Sequence, residues 1–237
     1  MPHPSGWLEV RPEGLYVRPA DVFVDPLRPV PRAIVTHGHS DHARPGHGTV
    51  IATPATLAIM ALRLGDGAGR EPKPLDYGRT VTLGDVRLRL EPAGHVLGSA
   101  QVVLEYAGTR VVVSGDYKRR ADPTCAPFVP VPCDLFITEA TFGLPVFRHP
   151  PAEAEIARLL DSVALFPERC HVVGAYALGK AQRVIAELRA AGWDRPVYLH
   201  GALQAMCGLY ERHGVALGPL LPATTGEKGQ ARAELAG

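Results

Sequence analysis

Short apolar runs set off by turn residues fill the first half of the chain. Val22-Phe23-Val24, between Asp21 and Asp25, reads as a strand closing on a carboxylate, and Arg32 to His37 reads as the next. A helix is predicted from Pro54 to Leu64, with Thr53 as its cap and proline at its first position. Leu57, Met60, Ala61 and Leu64 then share one helical face. Four more strands follow at Arg79 to Leu83, Val86 to Glu91, Ala100 to Tyr106 and Arg110 to Ser114, with Ala107-Gly108-Thr109 as a tight turn between the last two. Val86-Arg87-Leu88-Arg89-Leu90 alternates strictly, so one face packs and the face with the two arginines is solvated.

The pattern changes near residue 134. Asp134 to Thr138 and His171 to Ala175 read as strands, as does Val197 to Leu199. Helices are predicted over Ala152 to Leu165, Leu178 to Ala190 and Ala202 to Arg212. Strand alternating with helix argues for a parallel sheet with covering helices. The tail from Ala223 to Gly237 is polar and ends in a helix-like stretch.

Composition narrows the class. With 237 residues, 46% hydrophobic and 21% charged, the chain is globular and long enough for one large domain or two small ones. A net charge of +1 neither requires nor excludes a nucleic-acid partner, so any phosphate binding must come from local basic groups. Cys125, Cys133, Cys170 and Cys207 form no CxxC pair and read as reduced, buried thiols. The proline-rich start is unlike a secretory signal, and no apolar run reaches membrane-spanning length. A cytoplasmic protein without membrane attachment is expected.

The chemistry concentrates in Thr36-His37-Gly38-His39-Ser40-Asp41-His42. Three imidazoles and one carboxylate within six positions, directly after an apolar strand, form a ligand cluster for a borderline transition metal. His95 and Asp116 also follow strands, each with glycine just before it, and complete a coordination count. His37, His39 and His95 would serve one metal, Asp41 and His42 a second, and Asp116 would bridge. A metal pair suits in-line displacement at phosphorus. Asp25 reads either as an acceptor that orients a ligand imidazole or as a cap near Pro26.

The run His37-x-His39-x-Asp41-His42, then His95, then Asp116 resembles the motif set of the metallo-β-lactamase superfamily. The resemblance implies an α/β fold of the αββα sandwich kind with a dinuclear zinc site; manganese is a second candidate. Phe136-Ile137-Thr138-Glu139-Ala140-Thr141-Phe142-Gly143 and Ala175 to Arg183 look like elements of the β-CASP cap found in nucleic-acid-processing members. On that basis residues 1–138 are expected to form the metallo-β-lactamase core and 139–237 a β-CASP-type parallel α/β cap. Glu139 joins Asp41 and Asp25 as a candidate catalytic group.

Among β-CASP proteins the chain looks most like ligase-associated DNA exonucleases. Relatives that process messenger-RNA 3′ ends are close behind. The implied activity is metal-dependent hydrolysis of phosphodiester bonds in DNA, in repair alongside a DNA ligase. RNA 3′-end processing is the alternative, as is a non-catalytic nucleic-acid-binding protein. Lys118, Arg119, Lys180, Arg183 and Ser99 are the expected nucleic-acid contacts. Lys180 and Arg183 read equally well as a solvated helix face. The return strands of the superfamily core, with two further histidines, have no counterpart among His149, His171, His200 and His213, which read as structural or surface residues. The expectation is an incomplete sheet with an exposed edge and a weakened second metal site.

Overall fold

The computed structural model describes residues 3–224 and the backbone of 225, 230 and 231. The chain divides into two compact units, Met1–Ala140 and Thr141–Gly237.

The first unit contains two sheets. One has six strands in sequence order: β1 (Leu8–Arg11), β2 (Gly14–Val17), β3 (Val22–Val24), β4 (Arg32–Ile34), β5 (Thr49–Ala52) and β6 (Glu71–Pro74). The other is a five-stranded sheet in the order β11-β10-β9-β8-β7: β7 (Thr80–Leu83), β8 (Val86–Pro92), β9 (Ala100–Tyr106), β10 (Thr109–Val113) and β11 (Leu135–Ile137). Val17, Val22, Val24, Ile34 and Ile51 of the first sheet share one buried core with Val86, Leu88, Leu90, Val102, Leu104 and Val111 of the second. The two sheets therefore pack face to face. Each such aliphatic side chain contributes about 1.5–3 kcal/mol by leaving water, which is why the alternation in β8 fixes its register. Leu88 and Leu90 are buried, while Arg87 faces Glu105 at 3.2 Å and Arg89 faces Glu91 at 2.9 Å.

Helix α1 (Pro54–Leu64) covers the outer face of the six-stranded sheet, where Met60 packs with Ala33, Val35, Val50 and Ala52. Its bounds are those predicted, because Thr53 accepts the Thr56 N–H and Pro54 occupies the first turn. The β9–β10 turn uses two residues rather than three. Ala107 (φ 48°) and Gly108 (φ 83°) form the turn, and Thr109 pairs with Tyr106 inside the ladder.

β3, β4 and β5 are mutually parallel, as are β10 and β11. β8 runs antiparallel to β9 and β9 antiparallel to β10, so β8, β10 and β11 share a direction. Their carboxyl ends therefore lie at one end of the sheet, and the segments carrying His95, Asp116 and Glu139 leave from there. Among the described residues β11 is an edge strand, with Leu135 and Phe136 exposed.

The second unit holds α2 (Ala152–Leu165), α3 (Lys180–Ala190), α4 (Gly201–Arg212) and a parallel pair, β12 (Val197–Leu199) and β13 (Leu220–Pro222). Arg189 ties its loops together by donating to the carbonyls of Trp193, Arg195, Leu217 and Pro219. The strand expected over His171–Ala175 does not form. Val172 is 91% exposed and Val173 50% exposed, and a strand without a neighbour has no ladder to satisfy its backbone. Thr224–Thr225 pairs with Gln230–Ala231, and the helix-like end expected for the tail falls mostly on 226–229 and 232–237, which lie outside the described residues. The histidines read as structural have local partners: His171 meets Ser162 Oγ at 3.0 Å, His200 caps α4, His213 meets the Leu209 carbonyl and His149 packs on Phe142. All four cysteines are free thiols, but of the burial expected for them only Cys207 has it: Cys125 and Cys133 lie in loops and are half-buried, and Cys170, just past α2, is exposed. Among the described residues no helix is long and apolar enough to cross a membrane.

Candidate metal centre

Three loops, each leaving a strand end, build the site. The first follows β4 and turns tightly, with the N–H groups of His42 and Ala43 donating to the His39 carbonyl. Arg63 of α1 donates to the Gly38 carbonyl and holds this turn against the helix. The second follows β8. Ser99 Oγ accepts from the N–H groups of His95 (3.0 Å) and Val96 (3.2 Å), and the hydroxyls of Thr53 and Thr56 donate to the Gly98 carbonyl at 2.7 and 2.9 Å. The third follows β10 and carries Asp116.

Glycine is required where these loops cross. Gly94 has φ +72°, and a Cβ there would lie 2.4 Å from the Lys118 carbonyl oxygen. Gly115 has φ +55°, and a Cβ would meet Thr36 Cβ and Oγ1 at 2.7 Å. A Gly115→Ala substitution combines left-handed strain with a buried clash and is expected to cost about 2–4 kcal/mol. A urea denaturation curve shifted by that amount, with metal affinity lost in parallel, checks it.

The four convergent side chains are His37, His39, His95 and Asp116, whose donor atoms all lie within 4.8 Å of one another. His39 Nδ1 is 3.0 Å from His37 Nε2 and 3.2 Å from His95 Nε2. Asp116 Oδ2 is 3.8 Å from His37 Nε2 and 3.5 Å from His95 Nε2. A tetrahedral zinc ion with bonds of about 2.0–2.1 Å holds its donors roughly 3.3 Å apart. The observed separations bracket that value, so the donor set fits a metal of this size.

Protonation suits the same use. Burial holds His37 well below its ordinary pKa, and the neighbouring imidazoles His42, His95 and His39 add to the effect. Burial also lowers His95 to about 4 against the opposing pull of Asp116. Both rings are therefore neutral near pH 7, with lone pairs to offer. The hydrogen bond and charge of His42 hold the Asp116 carboxyl below its usual range.

Asp25 organises the layer behind. It takes a left-handed conformation (φ 43°) just past β3 and accepts from Thr36 N–H (2.8 Å), Thr36 Oγ1 (2.6 Å) and His42 Nδ1 (2.7 Å). Because the Thr36 hydroxyl donates to Asp25, its lone pair receives the His37 Nδ1–H at 3.1 Å. That assigns the tautomer leaving His37 Nε2 bare toward the cluster. His42 Nε2 faces Asp116 Oδ1 at 3.3 Å and Asp41 Oδ2 at 3.7 Å. Burial alone would lower His42, but its hydrogen bonds to Asp116 and Asp25 raise it to about 10.

These shifts set an acid response for the metal-free chain. Between about 6.5 and the folded value near 4, the unfolded chain binds a proton that folded His95 refuses, so stability falls as pH drops through that window. His42 acts oppositely: its stabilisation is complete below its unfolded value and is lost as pH rises toward 10. His95→Gln is expected to narrow the stability difference between pH 7 and pH 5, as read by urea denaturation.

The remaining sequence candidates fall in different places. Asp41 sits at the rim with 70% of its side chain exposed, beside His42. Glu139 is half-buried, two residues past β11. Lys118 is paired with Asp122, and Arg119 is exposed. Lys180 begins α3, exposed, with its ammonium 5.4 Å from the Tyr176 ring centroid, and Arg183 faces Glu187 at 3.4 Å. Ser99 departs from expectation. It is 1% exposed with its hydroxyl engaged by the His95 turn, so it braces that loop and presents no surface to a polymer. Thr36 was missed as the link between Asp25 and His37; the available signal was a hydroxyl directly preceding the histidine run.

Comparison with known proteins agrees with this geometry. Residues 19–174, more than half of the chain, match the metallo-beta-lactamase superfamily. The chain is 33% identical over 217 residues to a probable DNA ligase of Opitutus terrae, covering 87% of this chain and 20% of the ligase. It is 30% identical over 214 residues to a ribonuclease of Thermus thermophilus, covering 77% of this chain and 49% of that protein. An endoribonuclease of Emericella nidulans is 32% identical over 145 residues, covering 56% of this chain and 16% of the relative. The chain thus spans at most about half the length of these relatives. A solved structure of a protein of unknown function from Enterococcus faecalis V583 shares the fold, with a TM-score of 0.54 at 15% identity over 86% of this chain and 53% of the other. On its sequence match, with the strand-end histidine and aspartate cluster in agreement, this chain belongs to the metallo-β-lactamase superfamily.

Proposed function

We propose that this chain is a metal-dependent nuclease of the β-CASP group that hydrolyses phosphodiester bonds in DNA, acting as an exonuclease in repair beside a DNA ligase. The observation that carries this reading is the convergence of His37, His39, His95 and Asp116, from three separate loops, at separations suited to one divalent ion. Similarity along most of the chain to a polypeptide named as a probable DNA ligase supports the choice of DNA.

In this reading the three imidazoles and Asp116 hold zinc or manganese. Bound there, such an ion supplies Lewis acidity at a phosphoryl oxygen and lowers the pKa of water. Asp25 positions the ligands through Thr36 and His42. Asp41, exposed at the rim, accepts a hydrogen bond from the attacking water and orients it. The basic run Lys118-Arg119-Arg120 beside Asp116 offers charge to the polymer backbone. Glu139 leaves the sheet at the same end and is the candidate for handling the leaving-group proton.

A second reading, processing of RNA by the same chemistry, is favoured by relatives named ribonuclease and endoribonuclease. End-labelled single-stranded DNA and RNA of one sequence, incubated with the purified chain, separate the two. The expected result is stepwise shortening of DNA in zinc or manganese, abolished by a chelator and restored by added metal. Preferential cutting of RNA would favour the second reading. Salt-sensitive binding of both polymers without metal-dependent cutting would overturn both and leave a binding protein.

A further inference from the structure

The segment after Asp116 carries an aromatic feature that the metal chemistry does not use. Tyr117, Phe128 and Phe136 form one cluster. The Tyr117 ring centroid lies 5.3 Å from that of Phe128 at 37° and 6.1 Å from that of Phe136 at 81°. Val111 and Val113 pack with the sandwich core, so Phe136, opposite Val112 in the β10–β11 ladder, projects from the other face of the sheet. There it is 40% exposed, with Val129 exposed nearby in sequence to Phe128. Tyr117 and Phe128 are half-buried beside Phe136, so the cluster shows part of its apolar area to solvent, chiefly through Phe136, and apolar surface patches mark binding sites.

This cluster is fixed and lies next to the metal centre. Lys118 N–H donates to the Ala93 carbonyl at 3.0 Å, and Val129 N–H to the Pro92 carbonyl at 3.2 Å. Gln101 Nε2 bridges the carbonyls of Pro92 and Val129 at 2.9 and 2.7 Å. The segment from Tyr117 to Val129 is thereby stitched along the chain that leads into His95. Tyr117 directly follows Asp116, so the platform starts one Cα step, about 3.8 Å, from a candidate ligand. The same segment carries the exposed Arg119 and Arg120, while Lys118 is paired with Asp122.

We propose that Tyr117, Phe128 and Phe136 form a stacking platform for an unpaired nucleobase of the strand whose phosphate lies at the His37–His39–His95–Asp116 group. This rests on the nuclease reading and specifies its substrate as single-stranded. A nucleobase is a flat π-surface joined to an anionic phosphate, which matches a partly exposed aromatic cluster on the same segment as basic side chains and a metal-ligand candidate. In a duplex both faces of each base are already stacked, whereas an unpaired base offers one to the protein. Base–aromatic stacking is sequence-tolerant, so the platform reads strandedness rather than sequence.

The test compares the full chain with Phe136→Ala and Phe136→Trp on two oligonucleotides: a single strand bearing bases and the same length of a stable abasic strand. Binding is read by fluorescence anisotropy in chelator, and cutting is read separately with zinc or manganese. The unsubstituted chain is expected to bind the base-bearing strand roughly 5–150-fold more tightly than the abasic one, the range that one stacked base supplies. Phe136→Ala should bring that ratio toward one, and Phe136→Trp should retain it. Equal binding of the two strands by the unsubstituted chain sinks the platform, and metal-dependent cutting would then leave the nuclease reading intact. Base-dependent binding that persists while neither strand is cut supports the platform and removes the nuclease reading. If Phe136→Ala leaves the ratio unchanged and alters only sedimentation, the patch is a protein interface and the inference is overturned.

Discussion

Asp41→Ala is expected to abolish metal-dependent phosphodiester cleavage while leaving the chain folded. The two halves of that expectation come from different features. Asp41 is 70% exposed at the rim of the cluster, so its removal empties no core, and the stability change should stay within about 0.5 kcal/mol. Its Oδ2 lies 3.7 Å from His42 Nε2, which itself faces Asp116, so the carboxylate borders the metal-ligand group without being buried in it. Removing a positioned group that handles a proton or orients a nucleophile typically costs about 10²–10⁴ in rate. The measurement is a turnover rate at saturating metal, taken with a denaturation curve of the same preparation. Retained turnover in Asp41→Ala would remove the residue from the mechanism and leave the metal centre otherwise untouched.

His95→Ala is expected to have the larger effect on metal affinity. The imidazole reaches the cluster from a different loop than His37 and His39, so it closes the donor set across the two sheets. Its loss leaves two imidazoles and one carboxylate. Deleting a group that merely supports a ligand already costs roughly 10–100-fold in metal affinity, and removing a direct donor should exceed that. The loop itself should survive, because Ser99 and the hydroxyls of Thr53 and Thr56 hold its backbone independently of the imidazole. Metal retention after dialysis, measured by elemental analysis for the parent chain and the variant, gives the comparison. A variant that keeps a stoichiometric ion would exclude His95 from the donor set.

How much of this could be read in advance follows from what each residue contributes locally. Helix α1 was legible to the residue, since its cap and first-turn proline are sequence features acting over four positions. The alternation in β8 was legible for the same reason. β5 was missed because Thr49 to Ala52 is short and directly abuts the helix cap. β6 was missed because Pro72 and Pro74 each remove a ladder donor, which argues against a strand until the sheet edge is seen. The segment 171–175 erred the other way: valine-rich composition suggested a strand, but strand formation depends on a neighbour that sequence does not supply.

The site divides similarly. The histidine run, His95 and Asp116 announce themselves as residue types that bind metal, placed after apolar strands. Convergence is a property of topology: three loops meet because β4, β8 and β10 deliver their carboxyl ends to a common place. The supporting layer was harder to read. Ser99 looked like a surface hydroxyl and is a buried brace, and Thr36 looked like a strand end and carries the hydrogen bond that sets the His37 tautomer. Such roles reside in pair distances between segments far apart in the chain, and no single stretch of sequence encodes them.

The central claim is that His37, His39, His95 and Asp116 jointly hold a divalent ion. Crystals of the zinc-loaded chain, with diffraction recorded on either side of the zinc absorption edge, test it most directly. The account predicts an anomalous peak within about 2.0–2.2 Å of His37 Nε2, His39 Nδ1, His95 Nε2 and an Asp116 oxygen. A zinc-loaded chain whose anomalous signal lies elsewhere, with these four side chains unliganded, would contradict it.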